Sequence, residues 1–166
     1  MNPPPASDPR TFRDTVGTFA TGVTVVTARG ADGPAGLTTN AFSSLSLDPP
    51  LILVAFDNGS RTLPVLRDAG RFAVNVLRAG QEETAAVFAS KRVAAEKFAA
   101  VTHTEAHGVP VLDGALAWLV CELRELLPGG DHTIGVGEVV GLHADPGGEP
   151  LVFWRGGYWA VSAPEA

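Results

Sequence analysis

Residues 36–56, GLTTNAFSSLSLDPPLILVAF, constrain this chain more than any other stretch. Thr38, Thr39, Asn40, Ser43, Ser44, Ser46 and Asp48 crowd hydroxyl, amide and carboxylate groups among small and apolar residues, which does not suit a strand that only fills a core. A polar guest is expected on it. Pro49-Pro50 then interrupts pairing, because proline fixes φ and donates no backbone hydrogen bond. Leu51 to Phe56 is a continuous apolar run of buried-strand length. The stretch reads as a polar floor, a break and an apolar wall.

The flanking segments determine what such a floor and wall belong to. Asp8 to Ala20 has the pattern of an amphipathic helix, with Ser7 or Asp8 as cap, Pro9 in the first turn and Phe12, Val16 and Phe19 on a face expected to pack on a sheet. Gly22 to Ala28 is a β-branched strand, and the glycines and proline after it predict a hairpin with the polar stretch. Ser60-Arg61-Thr62 opens a short helix through Leu66 that Gly70 ends, and Arg71 to Leu77 is a strand with Phe72, Val74 and Val76 on one side and Asn75 on the other. Gln81 to Ser90 is helical, resuming at Glu96 to Ala100, whereas Val101 to Gly114 has no clear period. Ala115–Leu127, Thr133–His143 and Leu151–Val161, separated by glycine-rich turns, predict an antiparallel meander. The fold class expected is mainly β with flanking helices, a closed or split barrel rather than a parallel sheet. At 166 residues the chain has the size of one domain, assigned to residues 9–163 after a disordered Pro-rich lead-in over 1–8.

Composition narrows the partners. A net charge of −6 with scattered basic residues argues against nucleic acid, although a few cations held in one cleft can still bind a small anion. No apolar run approaches the roughly 20 residues of a membrane span, and the start lacks the basic and apolar regions of a secretory signal. The single cysteine, Cys121, sits in an apolar strand and is expected to be a buried, inert thiol, in keeping with cytoplasmic residence.

Familiar catalytic motifs are missing. Gly135-Val136-Gly137 lies between strands and offers no helix N-terminus to a dinucleotide, and Gly129-Gly130-Asp131-His132 has no Walker lysine. His103 and His107 lack the zincin order, so no metal site is expected, and no serine occupies a nucleophile elbow. What remains is the hydroxyl-rich stretch together with Asp57 to Thr62, where hydroxyls, turn amides and one arginine are the parts that hold a phosphate. Ser60 as a plain helix cap, with the strand hydroxyls in water, is an equally open reading of these residues. His132, after a Gly-Gly turn and beside Asp131, is placed either to donate a hydrogen bond to a ligand amide or to bond its own backbone. Trp154, Tyr158 and Trp159 around Arg155-Gly156-Gly157 either close the core or frame a planar ring.

Five segments carry a resemblance: FRDTVGTFATGVTVVTA, GLTTNAFSSLSLDPPLILVAFDNGSRTL, RFAVNVL, GDHTIGVGEV and LVFWRGGYWAV, in order along almost the whole chain. With T-x-N-x-F-x-S-x-S-x-x-P-P and G-D-H-T as their most specific parts, they resemble the short-chain flavin reductases, the reductase components of two-component flavin-dependent monooxygenases. The resemblance implies an FMN-binding split β-barrel of Greek-key-like antiparallel strands, usually a homodimer. It implies that NADH or NADPH reduces FMN or FAD by direct hydride transfer, without a catalytic acid or base, and that the reduced flavin leaves for a separate monooxygenase or halogenase. By resemblance, Thr38 to Ala41 and Ser43, Ser44 and Ser46 lie against the flavin ring and ribityl chain. Ala55, Phe56 and Asp57 border it, Ser60, Arg61 and Thr62 take its phosphate, and Phe88 and Lys91 approach from the second helix. His132 and the turn Trp154, Arg155, Gly156, Gly157, Tyr158 match positions that meet the nicotinamide nucleotide. A flavoprotein of the same barrel that retains FMN, and a non-enzymatic binding module, are the alternatives.

Overall fold

The computed structural model describes residues 8–161, so the expected lead-in lies outside the described residues except for Asp8. Asp8 is the N-cap of α1 (Pro9–Val16): its carboxylate accepts from the Arg10 and Thr11 amides at 3.4 and 3.0 Å. Phe12, Val16 and Phe19 do not pack on a sheet as expected; they are 60, 51 and 74% exposed. Helical spacing decides which residues share a face, not what covers it.

The chain continues through β1 (Thr21–Gly22), β2 (Thr24–Gly30), β3 (Gly33–Thr39), β4 (Phe42–Leu47) and β5 (Pro50–Asp57). It then forms α2 (Thr62–Ala69), β6 (Arg71–Val76), α3 (Glu82–Ala89) and α4 (Ala94–Ala100). The remainder is β: β7 (His103–Ala106), β8 (Val109–Leu112), β9 (Ala117–Gly129), β10 (His132–Ala144), β11 (Leu151–Trp154) and β12 (Gly157–Ala160). Seven strands make one antiparallel sheet in the order β3-β2-β6-β9-β10-β5-β4, β1-β11-β12 make a second, and β7-β8 form a separate hairpin. The expected β2–β3 hairpin is present. The C-terminal meander is broken, because β10 pairs with β9 and β5 while β11 leaves to pair with β1. No described helix is long and apolar enough to cross a membrane.

The polar stretch is two strands, not one. Asn40 and Ala41 carry the chain from β3, one edge of the large sheet, to β4, the opposite edge. Two linking residues span no more than about 11 Å, so the sheet must curl until its edges approach at this corner. No strand ladder joins β3 to β4 among the described residues, so the expectation of a closed barrel is not met.

Alternation sorts the core. On one face of the sheet Val26, Ile52, Val54, Phe56, Phe72 and Val74 pack around Leu63 and Leu66 of α2. On the other, Val25 meets Phe88 and Phe98 of the second and third packed helices, α3 and α4, and Ala73 meets β8. Asn75 points to this second side, as expected, and is fully buried. Its amide donates to Val25 O at 2.9 Å and its oxygen accepts from the Leu112 amide at 2.8 Å. In the 51–56 run only Ile52, Val54 and Phe56 are buried, so the wall is apolar on one face rather than two. Burial holds the Cys121 thiol up at about 12, so it stays protonated and inert at neutral pH.

Candidate functional site

A cleft of about 540 Å³ opens between β3, the end of β5, the start of α2 and the loop joining α3 to α4. This is the volume range of small-molecule sites. Its walls are Gly36–Thr39, Ala55, Asp57, Gly59–Thr62, Phe88–Lys91, Lys97 and His132. Gly36 makes the approach of α3 to β3 possible: a Cβ there would lie 2.8 Å from Phe88 Cε1 and 3.2 Å from the Val26 carbonyl oxygen.

The cleft is cationic within an acidic chain. Arg61, Lys91 and Lys97 line it against one carboxylate, Asp57, whose Oδ1 is turned back to the Gly59 amide at 2.6 Å. None of the three cations has a carboxylate partner among the described residues. Arg61 Nη2 donates to the Lys91 and Arg92 carbonyls at 2.6 and 2.8 Å, fastening the α3–α4 loop to the start of α2. Lys97 is 6% exposed and donates to Phe88 O at 2.8 Å and Gly36 O at 3.4 Å. Burial first, and the Arg61 charge second, hold its amine below the ordinary lysine range. Sequence reasoning missed Lys97, together with Gly36, Leu37, Gly59, Ala89 and Ser90. The signal available for Lys97 was a lone lysine beside Phe98 on a short alanine helix, which reads as a solvent-facing charge.

Several hydroxyls are partly engaged. Thr38 Oγ1 donates to Ala85 O at 2.6 Å, while Thr39 Oγ1 accepts from the Ala41 amide and Ser60 Oγ from the Thr62 amide, both at 3.1 Å. Ser60 is not the helix cap: Arg61 is the N-cap of α2 and makes no side-chain capping bond, while Ser60, one residue earlier, accepts from the Thr62 amide, which leaves its O–H available to donate into the cleft.

His132 stands opposite Asp57 in the β10–β5 ladder. Its Nδ1 lies 2.7 Å from Asp131 Oδ1, and this bond, with the imidazole's charge, holds the Asp131 carboxyl below its usual range. A carboxylate only accepts, so Nδ1 donates to Asp131 and Nε2 is the ring nitrogen turned to a ligand. Asn58 ties the 57–62 loop to the His132 turn: its Nδ2 donates to Gly130 O at 3.2 Å, and its Oδ1 accepts from Thr133 Oγ1 at 2.7 Å.

Of the residues expected around a flavin, Thr38, Thr39, Ala55, Asp57, Ser60, Arg61, Thr62, Phe88 and Lys91 line this one cleft. Phe56 does not, because strand alternation sends it into the core while Ala55 and Asp57 face the cleft. Asn40, Ala41, Ser43 and Ser44 are exposed and Ser46 half-buried on the edge of the sheet, outside the cleft. Tyr158 lines a neighbouring cavity of about 150 Å³ that shares Thr38 and Thr39 with the cleft. Trp154, Arg155, Gly156 and Gly157 line neither. Trp154 Nε1 instead donates to Thr18 O at 3.1 Å, and Arg155 stacks 4.7 Å above the Trp154 ring. One chain thus brings His132 to the cleft and Tyr158 to its neighbour, but does not unite them.

Comparison with known proteins places this geometry. A family model described as flavin reductase like domain matches residues 16–162. The chain is 44% identical over 154 residues to a probable flavin reductase of Rhizobium meliloti, covering 92% of this chain and 49% of that protein. It therefore spans about half the length of that relative. It is 39% identical over 157 residues to HsaB, the reductase subunit of a flavin-dependent monooxygenase of Mycobacterium tuberculosis, covering 93% of this chain and 83% of HsaB. Among solved structures, the NADH:FAD oxidoreductase SgcE6 of Streptomyces globisporus, in complex with NAD and FAD fragments, superimposes with a TM-score of 0.92 at 38% identity. That match covers 100% of this chain and 99% of SgcE6.

Proposed function

This chain belongs to the flavin reductase-like family, and from that premise we propose that it is an NAD(P)H:flavin oxidoreductase, which reduces FMN or FAD and releases the product to a separate monooxygenase or halogenase component. The observation that carries the reading is the cleft, where three cations without carboxylate partners among the described residues meet a hydroxyl-bearing strand and an imidazole whose Nδ1 is bonded to Asp131. Such a donor set fits a phosphate joined through a polyol to a flat ring.

Bound flavin would supply a ring that takes hydride directly from the nicotinamide, so binding and orientation are the protein's task. Ser60, Arg61 and Lys91 hold the phosphate, Thr62 shapes the turn beneath it, and Phe88 supports the floor. Thr38, Thr39 and Ala55 border the ring. His132 Nε2 accepts from the nicotinamide carboxamide, and the Trp154–Tyr158 turn flanks that nucleotide.

The finer architecture belongs to the same proposal. The curl forced by Asn40–Ala41 supports a split barrel. A homodimer would cover the exposed Phe12, Val16 and Phe19 with Leu45 and Leu47, which are 51 and 95% exposed, and would bring edge residues Ser43, Ser44 and Ser46 to an enclosed surface. The test is a two-by-two assay of NADH and NADPH against FMN and FAD, followed by NAD(P)H absorbance, with light scattering for the dimer. Turnover of added flavin is expected. Failure to oxidise either nucleotide with either flavin would refute the enzyme, and tightly retained yellow flavin with little turnover would favour a flavin-holding protein.

A further inference from the structure

A cavity of about 210 Å³ shares the Lys97 wall with the cleft and belongs to that site. Another, of about 450 Å³, does not. It opens where the β7–β8 hairpin, the turn at 113–115, the start of β9 and the end of β10 meet. His132 begins β10 in the cleft and His143 lies near its end in this cavity, so the two stand at opposite ends of a 13-residue strand, roughly 35 Å apart along it.

The lining holds one occupied ion pair, one unpaired carboxylate and an aromatic wall. Arg78 Nη2 donates to Asp145 Oδ2, and Asp145 Oδ1 accepts from the Gly147 amide at 3.0 Å, so that pair is already satisfied. Asp113 differs. Its amide donates to Thr102 O at 3.1 Å and its carbonyl accepts from Gln81 Nε2 at 3.3 Å, which fixes the backbone. Its exposed carboxylate has no ion-pair partner among the described residues. Beside it Trp118 is half-buried against Val109, Val111 and Val120, and its ring stacks with that of His143 at a centroid distance of 5.9 Å and an angle of 32°. Arg78 and Asp145 cancel, and Asp113 leaves a net negative lining in a chain of net charge −6.

We propose that this cavity binds a small protonated amine with a flat apolar body, its ammonium on Asp113 and its body against Trp118 and His143. An unpaired carboxylate takes a charge-assisted hydrogen bond from an ammonium, and an indole attracts the cation while covering apolar surface. Asp113 repels an anion, and the Arg78 charge that could answer one is already paired. A metal ion is not supported, because no three His, Cys, Asp or Glu side chains converge among the described residues. The two ends of β10 therefore select opposite charges: the cationic cleft takes anions and this cavity takes cations.

The test is isothermal titration calorimetry of the intact protein with phenethylammonium, its neutral counterpart 2-phenylethanol and the anion 3-phenylpropionate. One ammonium is expected per chain, with the alcohol and the carboxylate at least about tenfold weaker, as the loss of one charge-assisted hydrogen bond requires. Asp113→Asn, an exposed change of equal shape, is expected to weaken the amine by about tenfold and the alcohol by less than about twofold. Saturating FMN or FAD should not displace the amine, and NAD(P)H oxidation with added flavin should be unchanged in Asp113→Asn. Absence of saturable amine binding, equal affinity for the three probes, wild-type amine affinity in Asp113→Asn, or displacement by flavin would each overturn the site. None of these outcomes bears on whether the chain reduces flavin.

Discussion

Replacing Gly36 by alanine tests how tightly the cleft floor is built. The added Cβ would sit 2.8 and 3.0 Å from Phe88 Cε1 and Cδ1, where carbon atoms prefer about 3.5–4.0 Å. The ring must therefore move by roughly 0.5–1 Å. It has little room, being 1% exposed and held edge-on by Phe98 at a centroid distance of 5.2 Å. Overpacking of this kind costs about 1–3 kcal/mol, offset by roughly 0.5–1 kcal/mol from the lower chain entropy of alanine in the unfolded state. A net loss of about 1.5 kcal/mol lowers Tm by roughly 3–6 °C for a chain of this size. Urea and thermal unfolding measure it directly. Phe88→Leu in the same chain removes the ring edge, so the double variant should be more stable than the two single losses added together, by about 1 kcal/mol. Flavin binding should weaken in Gly36→Ala as well, because Phe88, Ser90 and Lys91 move with the end of α3. Wild-type stability in Gly36→Ala, or strict additivity with Phe88→Leu, would show that the β3–α3 approach is not the constraint described.

Other substitutions separate the parts of the site. Asn58→Ala removes two exposed hydrogen bonds between the 57–62 loop and the His132 turn, and is expected to lower stability by about 1 kcal/mol while raising KM for flavin and for NAD(P)H together. An effect on one substrate alone in steady-state kinetics would contradict the coupling. His132→Ala should raise KM for NAD(P)H by about three- to tenfold with flavin binding little changed, and His132→Gln, which restores an acceptor, should recover part of that loss. If glutamine is no better than alanine, the Nε2 acceptor role is wrong. Lys97 titrates below its unfolded value of 10.5, so between the lowered folded value and 10.5 the native state binds fewer protons than the unfolded chain. Stability should therefore rise with pH through that window in the wild type and lose the rise in Lys97→Met, as urea midpoints measured across the alkaline range would show.

Much of the fold was legible because its signals are local. The β2–β3 hairpin follows from a β-branched run and a glycine-rich turn, and α2 ends at Gly70, whose φ of 65° suits a residue without Cβ. The β7–β8 hairpin was not legible. Its two-residue turn is His107-Gly108, with φ of 50° and 80°, an unusual first residue for a turn that favours Asn-Gly, and Val109–Leu112 is too uniformly apolar to alternate. Phe56 was misplaced for a related reason. Its neighbours at 55 and 57 face the cleft, and period 2 sends the residue between them to the core.

Local residues alone settled the β2–β3 hairpin, the end of α2 at Gly70 and the adjacency of a hydroxyl-bearing stretch to a phosphate-type loop, since these depend on residues close together in the chain. Only the tertiary structure decided that the stretch splits at Asn40–Ala41 between opposite sheet edges. It alone placed Lys97 of α4 on the wall between two cavities and left the α1 face without cover among the described residues. These depend on the curl of the sheet and on what each face meets, and long-range packing leaves no periodic trace in the chain that produces it.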